Sequence, residues 1–309
     1  MKIAVLSDIH SNSAALQAVS EHIEAWQPDQ VVVAGDLVNR GPRPLECLQF
    51  VQEKVKTRGW LTLIGNHEEY VIGHATAGQP HEGPQFEIKR SSYWTFQQLG
   101  GDVSALAAMP FKQILAAPDG SEVRLTHASM RGTRVGIYSF TPDRLLRELI
   151  GPPLPPLFCV GHTHMPWVRR LNGALVVNAG SAGLPFDGDT RVSYAQLTWS
   201  KGEWQGSIVR LEYDRQQAER DFADSGFLDE GGPLAQLMLI ELRSAHSQLF
   251  QWMARYEKPL LAGQITIEES VRQFRALHPL ARLDALSYSL FQRLPMRAQQ
   301  FIAAQRFKR

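Results

Sequence analysis

A chain of 309 residues with 44% hydrophobic and 20% charged residues can bury a large core, and its formal net charge of +1 argues against a partner held by bulk electrostatics, such as long duplex nucleic acid. Two cysteines, Cys47 and Cys159, are too few for a disulfide framework; Cys159 lies in an apolar run where a small buried hydrophobe is expected, and a reducing, cytoplasmic compartment fits. No run reaches membrane-spanning length, and the opening MKIAVLSDIH leads straight into a polar motif, so neither a membrane partner nor a cleavable signal is expected.

In chain order, short runs rich in branched residues occupy Lys2–Leu6, residues 31 to 34, residues 61 to 64, residues 123 to 125, Leu157–Val160 and residues 174 to 177. Continuous apolar runs of this length, closed by Gly, Asp or Asn, predict strands buried on both faces. Between the early strands, Ser13–Trp26 and residues 44 to 57 predict helices, with Asn12 placed to cap the first. Residues 73 to 84, rich in Gly, Pro and His, predict a loop; residues 90 to 99 predict a helix, and the proline-dense stretch 151 to 156 a connector. After about Tyr213 strand signals stop and helical periodicity takes over, with Leu234, Leu237, Met238, Leu242, Leu249 and Trp252 on the apolar positions. Strand, motif, helix, strand is an α/β pattern, in which sites gather beyond the carboxyl ends of the strands.

Five punctuations carry the chemistry, and each follows an apolar run: Asp8-Ile9-His10, Gly35-Asp36, Gly65-Asn66-His67-Glu68, Thr126-His127-Ala128 and Gly161-His162-Thr163-His164. Taken singly, most have an ordinary structural explanation. Gly-Asp is commonly a turn, Gly-Asn-His-Glu can open a helix, and a single histidine is often a satisfied core residue. Together they supply oxygen and imidazole donors for two adjacent divalent cations, an arrangement that turns a bridging water into hydroxide against a phosphate ester. Asp36 is the candidate shared carboxylate. Asp8, His10 and His164 would complete one shell, and Asn66, His127 and His162 the other. In an extended segment, residues two apart point to the same side, so the Asp-Ile-His and His-Thr-His spacings let two donors face one cluster.

These five motifs, in this order and over residues 1 to 212, resemble the calcineurin-like metallophosphoesterase superfamily. The resemblance implies a sandwich of two β-sheets flanked by helices, hydrolysis of phosphomonoesters or phosphodiesters, and a binuclear centre filled by manganese first, or by iron, zinc, nickel or cobalt. By the same resemblance His67 is not a ligand but contacts the phosphate or assists the leaving group. Ser7 to Asn12, Gly35 to Val38 and Asn178 to Gly183 followed by Ser193-Tyr194-Ala195 look like small bacterial phosphodiesterases of that superfamily. Gly35 to Pro42 also resembles the Gly-Asp-x-x-x-Arg-Gly segment of diadenosine tetraphosphate hydrolases and serine/threonine protein phosphatases, which implies a phosphate contact for Arg40. The protein phosphatases have Asp where this chain has Asn39, and a neutral amide does not stabilise a protonated His67 as a carboxylate would.

The expectation is therefore a catalytic domain over residues 1 to 214 and a helical C-terminal extension over residues 215 to 309. The domain would hydrolyse a small phosphodiester, nucleotide or dinucleoside polyphosphate, with His67, Arg40 and Asn66 neutralising phosphoryl charge. The rivals are a phosphoprotein phosphatase and a non-catalytic module that scaffolds partners. The extension would pack on the core or on a second copy of the chain, which makes a homo-oligomer one expectation. Arg131, Arg134 and Tyr138 form a further candidate phosphate or nucleotide clamp, and His74 and His81 lie near a loop that a substrate could reach. His22, His246 and His278 lack partners at ligand spacing and are expected to be solvated.

Overall fold

A computed structural model describes residues 1–277; the expected helical continuation to residue 309, with His278, lies outside the described residues. In chain order the elements are β1 (Lys2–Leu6), α1 (Ser13–Trp26), β2 (Gln30–Val33), α2 (Pro44–Arg58), β3 (Leu61–Thr62), α3 (Asn66–Gly73), α4 (Pro84–Gln98), α5 (Ser104–Ala107), β4 (Lys112–Ala116), β5 (Glu122–Thr126) and α6 (Asp143–Ile150). There follow β6 (Leu157–Val160), β7 (Trp167–Leu171), β8 (Ala174–Asn178), β9 (Val192–Ser200), β10 (Glu203–Leu211), α7 (Arg215–Asp224), α8 (Phe227–Glu230), α9 (Ala235–Ser244), α10 (Leu249–Leu261) and α11 (Ile267–Leu277).

The strands form two sheets of five, ordered β10-β9-β1-β2-β3 and β4-β5-β6-β8-β7. In the first, β1, β2 and β3 run parallel while β9 and β10 are antiparallel additions. In the second, β5, β6 and β8 run parallel and the edges β4 and β7 are antiparallel. Period-two alternation sorts the side chains into layers. Ile3 and Val5 of β1 meet Leu157 and Cys159 of β6 between the sheets, while Ala4 and Leu6 turn outward onto Leu16, Val19 and Ile23 of α1. On the far side, Phe158 and Val160 pack against Leu146, Leu149 and Ile150 of α6. The molecule is thus a helix–sheet–sheet–helix α/β sandwich, as the motifs implied. Cys47 and Cys159 are both free and buried, and burial pushes the Cys159 thiol up to about 12, so both serve as small apolar fillers.

Four strands were not expected from the sequence: β4, β7, β9 and β10. All belong to antiparallel pairings. Along β4 every second residue is exposed, and most of β10 is partly or fully exposed, so neither gives the continuous apolar run that marks a strand covered on both faces. The strand expected over residues 61 to 64 shrinks to Leu61–Thr62, because Gly65 already leads into α3. The helix expected over residues 90 to 99 begins earlier, at Pro84, where proline suits a first helical turn.

The C-terminal helices build a separate apolar cluster around Phe222, Phe227, Trp252, Tyr256 and Phe274, and that cluster takes in Trp94 of α4 and Leu184 from the loop after β8. The Trp252 indole N–H donates to Ser270 Oγ at 3.0 Å, so its one polar atom is satisfied inside the cluster. No helix among the described residues is long and apolar enough to cross a membrane.

One buried carboxylate ties the loop after β2 to α3. Glu68 is fully buried, and it accepts from the backbone N–H groups of Asp36 and Gly65 through Oε2 (both 2.8 Å) and of Leu37 and Val38 through Oε1 (2.8 and 3.1 Å). Burial and the neighbouring Asp36 charge push this acid up to about 7, against the pull of those N–H groups. Glu68→Ala strips acceptors from four N–H groups at once and is expected to destabilise the protein by at least about 2 kcal/mol. Denaturant unfolding measures this, with Glu68→Gln expected to fall between the variant and the parent.

Candidate metal centre

The strands of the two sheets end in loops on one rim, and the loops bring all seven predicted donors together. Asp8 and His10 follow β1, Asp36 follows β2, Asn66 opens α3, His127 follows β5, and His162 and His164 follow β6. Asp8, His10, Asp36 and His164 form one group with donor atoms within 4.8 Å of one another; Asp36, His127 and His162 form a second, and Asp36 is common to both. Asn66 joins the second group, its Oδ1 lying 3.1 Å from His127 Nε2.

Spacing puts these donors in sequence order, but turns aim them. Asp8, His10, Asp36, Arg40, His162 and His164 all have φ between 49° and 68°, the left-handed region that costs a side-chain-bearing residue energy. The two-residue spacings therefore do not act through extended backbone, as expected from the sequence: Asp8 and His10 lie beyond the end of β1 in a sharp turn. His162 and His164 also part company, one going to each donor group. Two glycines make room for the crowding. A Cβ on Gly65 would strike the Asp36 carboxylate, and one on Gly161 would strike Ser7 Oγ and come within 2.5 Å of Asp8 Oδ2.

Each donor is oriented by its own partner. His127 Nδ1 donates to Ala34 O at 2.8 Å, His10 Nδ1 faces Asn39 O at 3.3 Å, and His164 Nδ1 donates to Leu184 O. A carbonyl only accepts, so these rings carry their protons on Nδ1 and turn Nε2 inward. His162 presents Nδ1 instead, 3.2 Å from His127 Nε2. The carboxylates follow the same plan. Asp8 Oδ2 accepts from the His162 N–H at 2.8 Å, and Asp36 Oδ1 accepts from the His67 N–H at 2.9 Å. Their second oxygens face the imidazoles: Asp8 Oδ1 is 3.3 Å from His164 Nε2, and Asp36 Oδ2 is 3.3 Å from His127 Nε2 and 3.7 Å from His10 Nε2.

Two observations test whether this donor set suits divalent cations. Asp8 Oδ1 is buried without a hydrogen-bond partner. His10 Nε2 and His164 Nε2 face each other at 3.1 Å, although the carbonyl partners claim the protons on the far nitrogens. Inward lone pairs and an unsatisfied carboxylate oxygen, all buried, fit cations of mixed nitrogen and oxygen preference. The two carboxylates draw positive charge into the cluster. Burial pushes the His127 imidazole down, but Asp36 and Asp8 outweigh it and raise it to about 10. Burial and the neighbouring His164 and His67 rings hold His10 well below its ordinary value, and burial with His127 pushes His162 down to about 4. Burial would raise Asp36, yet His127 and His67 hold it well below the carboxylate range.

His67 and Arg40 stand at the edge of this cluster, both half-buried where Asp8, Asp36 and His127 are buried. Arg40 N–H donates to Asn39 Oδ1 at 2.8 Å, which leaves the Asn39 amide NH2 to donate to His67 Nδ1 at 2.9 Å. His67 therefore carries its proton on Nε2. Burial, with Arg40 beside it, pushes this ring down to about 3 against the pull of Asp36, so it is a neutral donor at physiological pH.

Other candidates are engaged elsewhere. Arg131 pairs with Glu148, and Arg134 with Glu69 at 2.7 Å while stacking on Tyr70, so neither is a free phosphate clamp. His74 hydrogen-bonds Ser92 Oγ at 2.8 Å, and His22, though exposed, meets the Tyr194 hydroxyl at 2.8 Å. His246 lies in the turn between α9 and α10 rather than in a helix. Three supporting residues carried no chemical role in the sequence reading. Glu68 reads there only as a favourable first-turn acid, although its place three residues after Gly65 marks a carboxylate that can reach back to a helix start. Ser181 Oγ donates to Asp8 O at 2.6 Å, and Asn178 Nδ2 donates to Gly161 O at 2.7 Å, so the Asn178–Ser181 motif braces two of the loops.

Comparison with known proteins agrees with this geometry. The calcineurin-like phosphoesterase profile matches residues 1–178, more than half of the chain. An uncharacterized protein, MJ0912, of Methanocaldococcus jannaschii is 28% identical over 232 residues, which span 70% of this chain and 89% of that protein. A symmetrical bis(5'-nucleosyl)-tetraphosphatase of Chromohalobacter salexigens is 28% identical over 181 residues, 56% of this chain and 62% of that one. Among solved structures, a metallophosphoesterase from Sphaerobacter thermophilus superposes with a TM-score of 0.62 at 27% identity, covering 79% of this chain and all (100%) of that chain. The profile match settles the family: the chain belongs to the calcineurin-like phosphoesterases, hydrolases that act on phosphoric esters with the help of divalent metals.

Proposed function

We propose that this chain is a binuclear phosphoesterase that hydrolyses a small phosphodiester, nucleotide or dinucleoside polyphosphate. The observation that carries this reading is Asp36, the one carboxylate common to both donor groups. Asp8, His10, Asp36 and His164 would hold one cation, and Asp36, Asn66, His127 and His162 the other. Bound there, two divalent cations supply Lewis acidity toward phosphoryl oxygens and acidify a water at neutral pH. Manganese is the first choice, with iron, zinc, nickel or cobalt as alternatives, since the mixed donor set admits several first-row ions.

The chain's own residues do the rest. Water attacks phosphorus in line, a new P–O bond forms, and the ester P–O bond opposite breaks. Asn66 orients the substrate side of the site while serving as a donor. Arg40 and the His67 Nε2–H hydrogen-bond the phosphoryl oxygens as charge builds on them, and the leaving oxygen takes its proton from solvent. A neutral His67, held by an amide, is a hydrogen-bond donor rather than a strong acid. This favours substrates whose leaving group is itself stable as an anion, such as a nucleotide phosphate, over phosphoserine. The name of the Chromohalobacter relative supports the same substrate class. Two buried free cysteines support a reducing, cytoplasmic setting. We read residues 1 to 214 as the catalytic domain and residues 215 to 309 as its helical extension.

A screen of aryl phosphodiesters, dinucleoside polyphosphates and phosphopeptides with manganese-loaded protein tests the substrate class. Faster release of phosphate from phosphopeptides would overturn the preference, and no hydrolysis of any ester would support a scaffold instead. In the same assay Asp36→Asn is expected to lose both metal content and turnover, because it removes the shared negative donor. His67→Ala is expected to keep its metal and lose roughly 10² to 10⁴ in kcat.

A further inference from the structure

The helical extension reaches the site through one ion pair. Arg40 Nη2 donates to Glu241 Oε2 at 2.5 Å, and Glu241, on α9, is completely buried. The other carboxylate oxygen, Oε1, accepts from the backbone N–H groups of Gln248 and Leu249 at 2.8 and 2.9 Å, where α10 begins. Glu241 thus uses one oxygen to join α9 to α10 and the other to reach the loop after β2. A buried carboxylate is costly unless it is paired, so its cationic partner has little freedom to leave.

The surroundings of Arg40 fix its plane as well as its position. The guanidinium lies over the Phe186 ring at 5.3 Å, and Phe186 stacks on His164 at 4.1 Å between ring centroids. Arg40 Nε is buried without a hydrogen-bond partner, a donor that an anion can satisfy. Arg40 follows Asn39, whose carbonyl faces His10 Nδ1 at 3.3 Å and whose amide donates to His67 Nδ1 at 2.9 Å, which places this segment beside the donor cluster. A second tether runs parallel to the first: Arg43 Nη2 donates to Asp221 of α7 at 2.8 Å. The segment from Asn39 to Arg43 is therefore held at both arginines by the C-terminal helices.

We propose that Glu241 is a positioning residue for phosphate binding, which holds the Arg40 guanidinium ready for a phosphoryl oxygen and makes the C-terminal helices part of the substrate site. This rests on the reading of Arg40 as a phosphate contact. Pre-orienting a flexible side chain removes an ordering cost from substrate binding. It also leaves the guanidinium donors that Glu241 does not use free for the anion.

The test uses the full-length, metal-loaded chain and four variants: Glu241→Gln, Glu241→Asp, Arg40→Gln and the double variant Arg40→Gln with Glu241→Gln. Inorganic phosphate serves as a competitive probe, alongside KM and kcat for the best ester of the screen. Glu241→Gln is expected to weaken phosphate inhibition and raise KM by about tenfold or more, with a smaller change in kcat and unaltered metal content. Glu241→Asp should recover part of the loss, and the double variant should be no worse than Arg40→Gln alone. Wild-type or tighter phosphate binding in Glu241→Gln, with Arg40→Gln impaired, overturns the proposal, because Glu241 is then idle or restraining. Losses that multiply in the double variant overturn it too, since Glu241 then acts by another route. Undiminished phosphate binding in Arg40→Gln refutes the earlier reading of Arg40 itself. Should Glu241→Gln fail to fold, Glu241→Asp carries the comparison: a shift in the Arg40 background that vanishes in Arg40→Gln supports the proposal, and an equal shift in both contradicts it.

Discussion

Asp36 sits at a left-handed turn with one carboxylate oxygen held by the His67 N–H and the other turned toward His10 and His127. A buried negative charge in that position needs positive charge close by, and the arrangement of the neighbouring loops answers that need. Glu68 fixes the backbone on which Asp36 stands. Ser181 and Asn178 brace the loops that bring Asp8, His162 and His164 to it. The strained turns at six of the site candidates are tolerable because so many buried hydrogen bonds over-determine them. The rim of the sandwich is thus a single construction around one acid.

That construction extends past the two sheets. Phe186 stacks on His164 while contributing to the apolar cluster of the C-terminal helices, and Glu241 and Asp221 hold Arg40 and Arg43. The loop after β2 therefore has donors to the cluster at its start and ion pairs to the extension at its end. An enzyme built in this way separates two tasks. The sheet ends hold the buried donors, and the helices bear on half-buried Arg40, the group proposed to meet phosphate.

The elements that the sequence made legible are those whose physics is local. Parallel strands β1, β2, β6 and β8 are covered on both sides and appear as apolar runs, so all were expected, and β5 was expected too although Arg124 divides Val123 from Leu125. The antiparallel strands β4, β7 and β10 were not, because an edge position leaves mixed residues that resemble loop, and neither was interior β9, whose Val192–Ser200 run mixes Ser, Gln and Thr with its apolar residues. The candidate site was legible as a set of residue types at strand ends, and the seven donors meet as anticipated. Their aim was not: residues two apart in sequence reach the cluster through left-handed turns instead of an extended strand. Glu68 was visible only as a helix-opening acid, since three of its four N–H partners, those of Asp36, Leu37 and Val38, lie 30 to 32 residues away in sequence. The Arg40–Glu241 pair spans 201 residues, and no local pattern announces a contact of that kind.

The central claim is that two cations share Asp36, and anomalous diffraction from crystals of the manganese-loaded protein tests it most directly. The account predicts two anomalous peaks on either side of the Asp36 carboxylate, one against Asp8, His10 and His164 and the other against Asn66, His127 and His162. A single peak, or peaks away from Asp36, would contradict it.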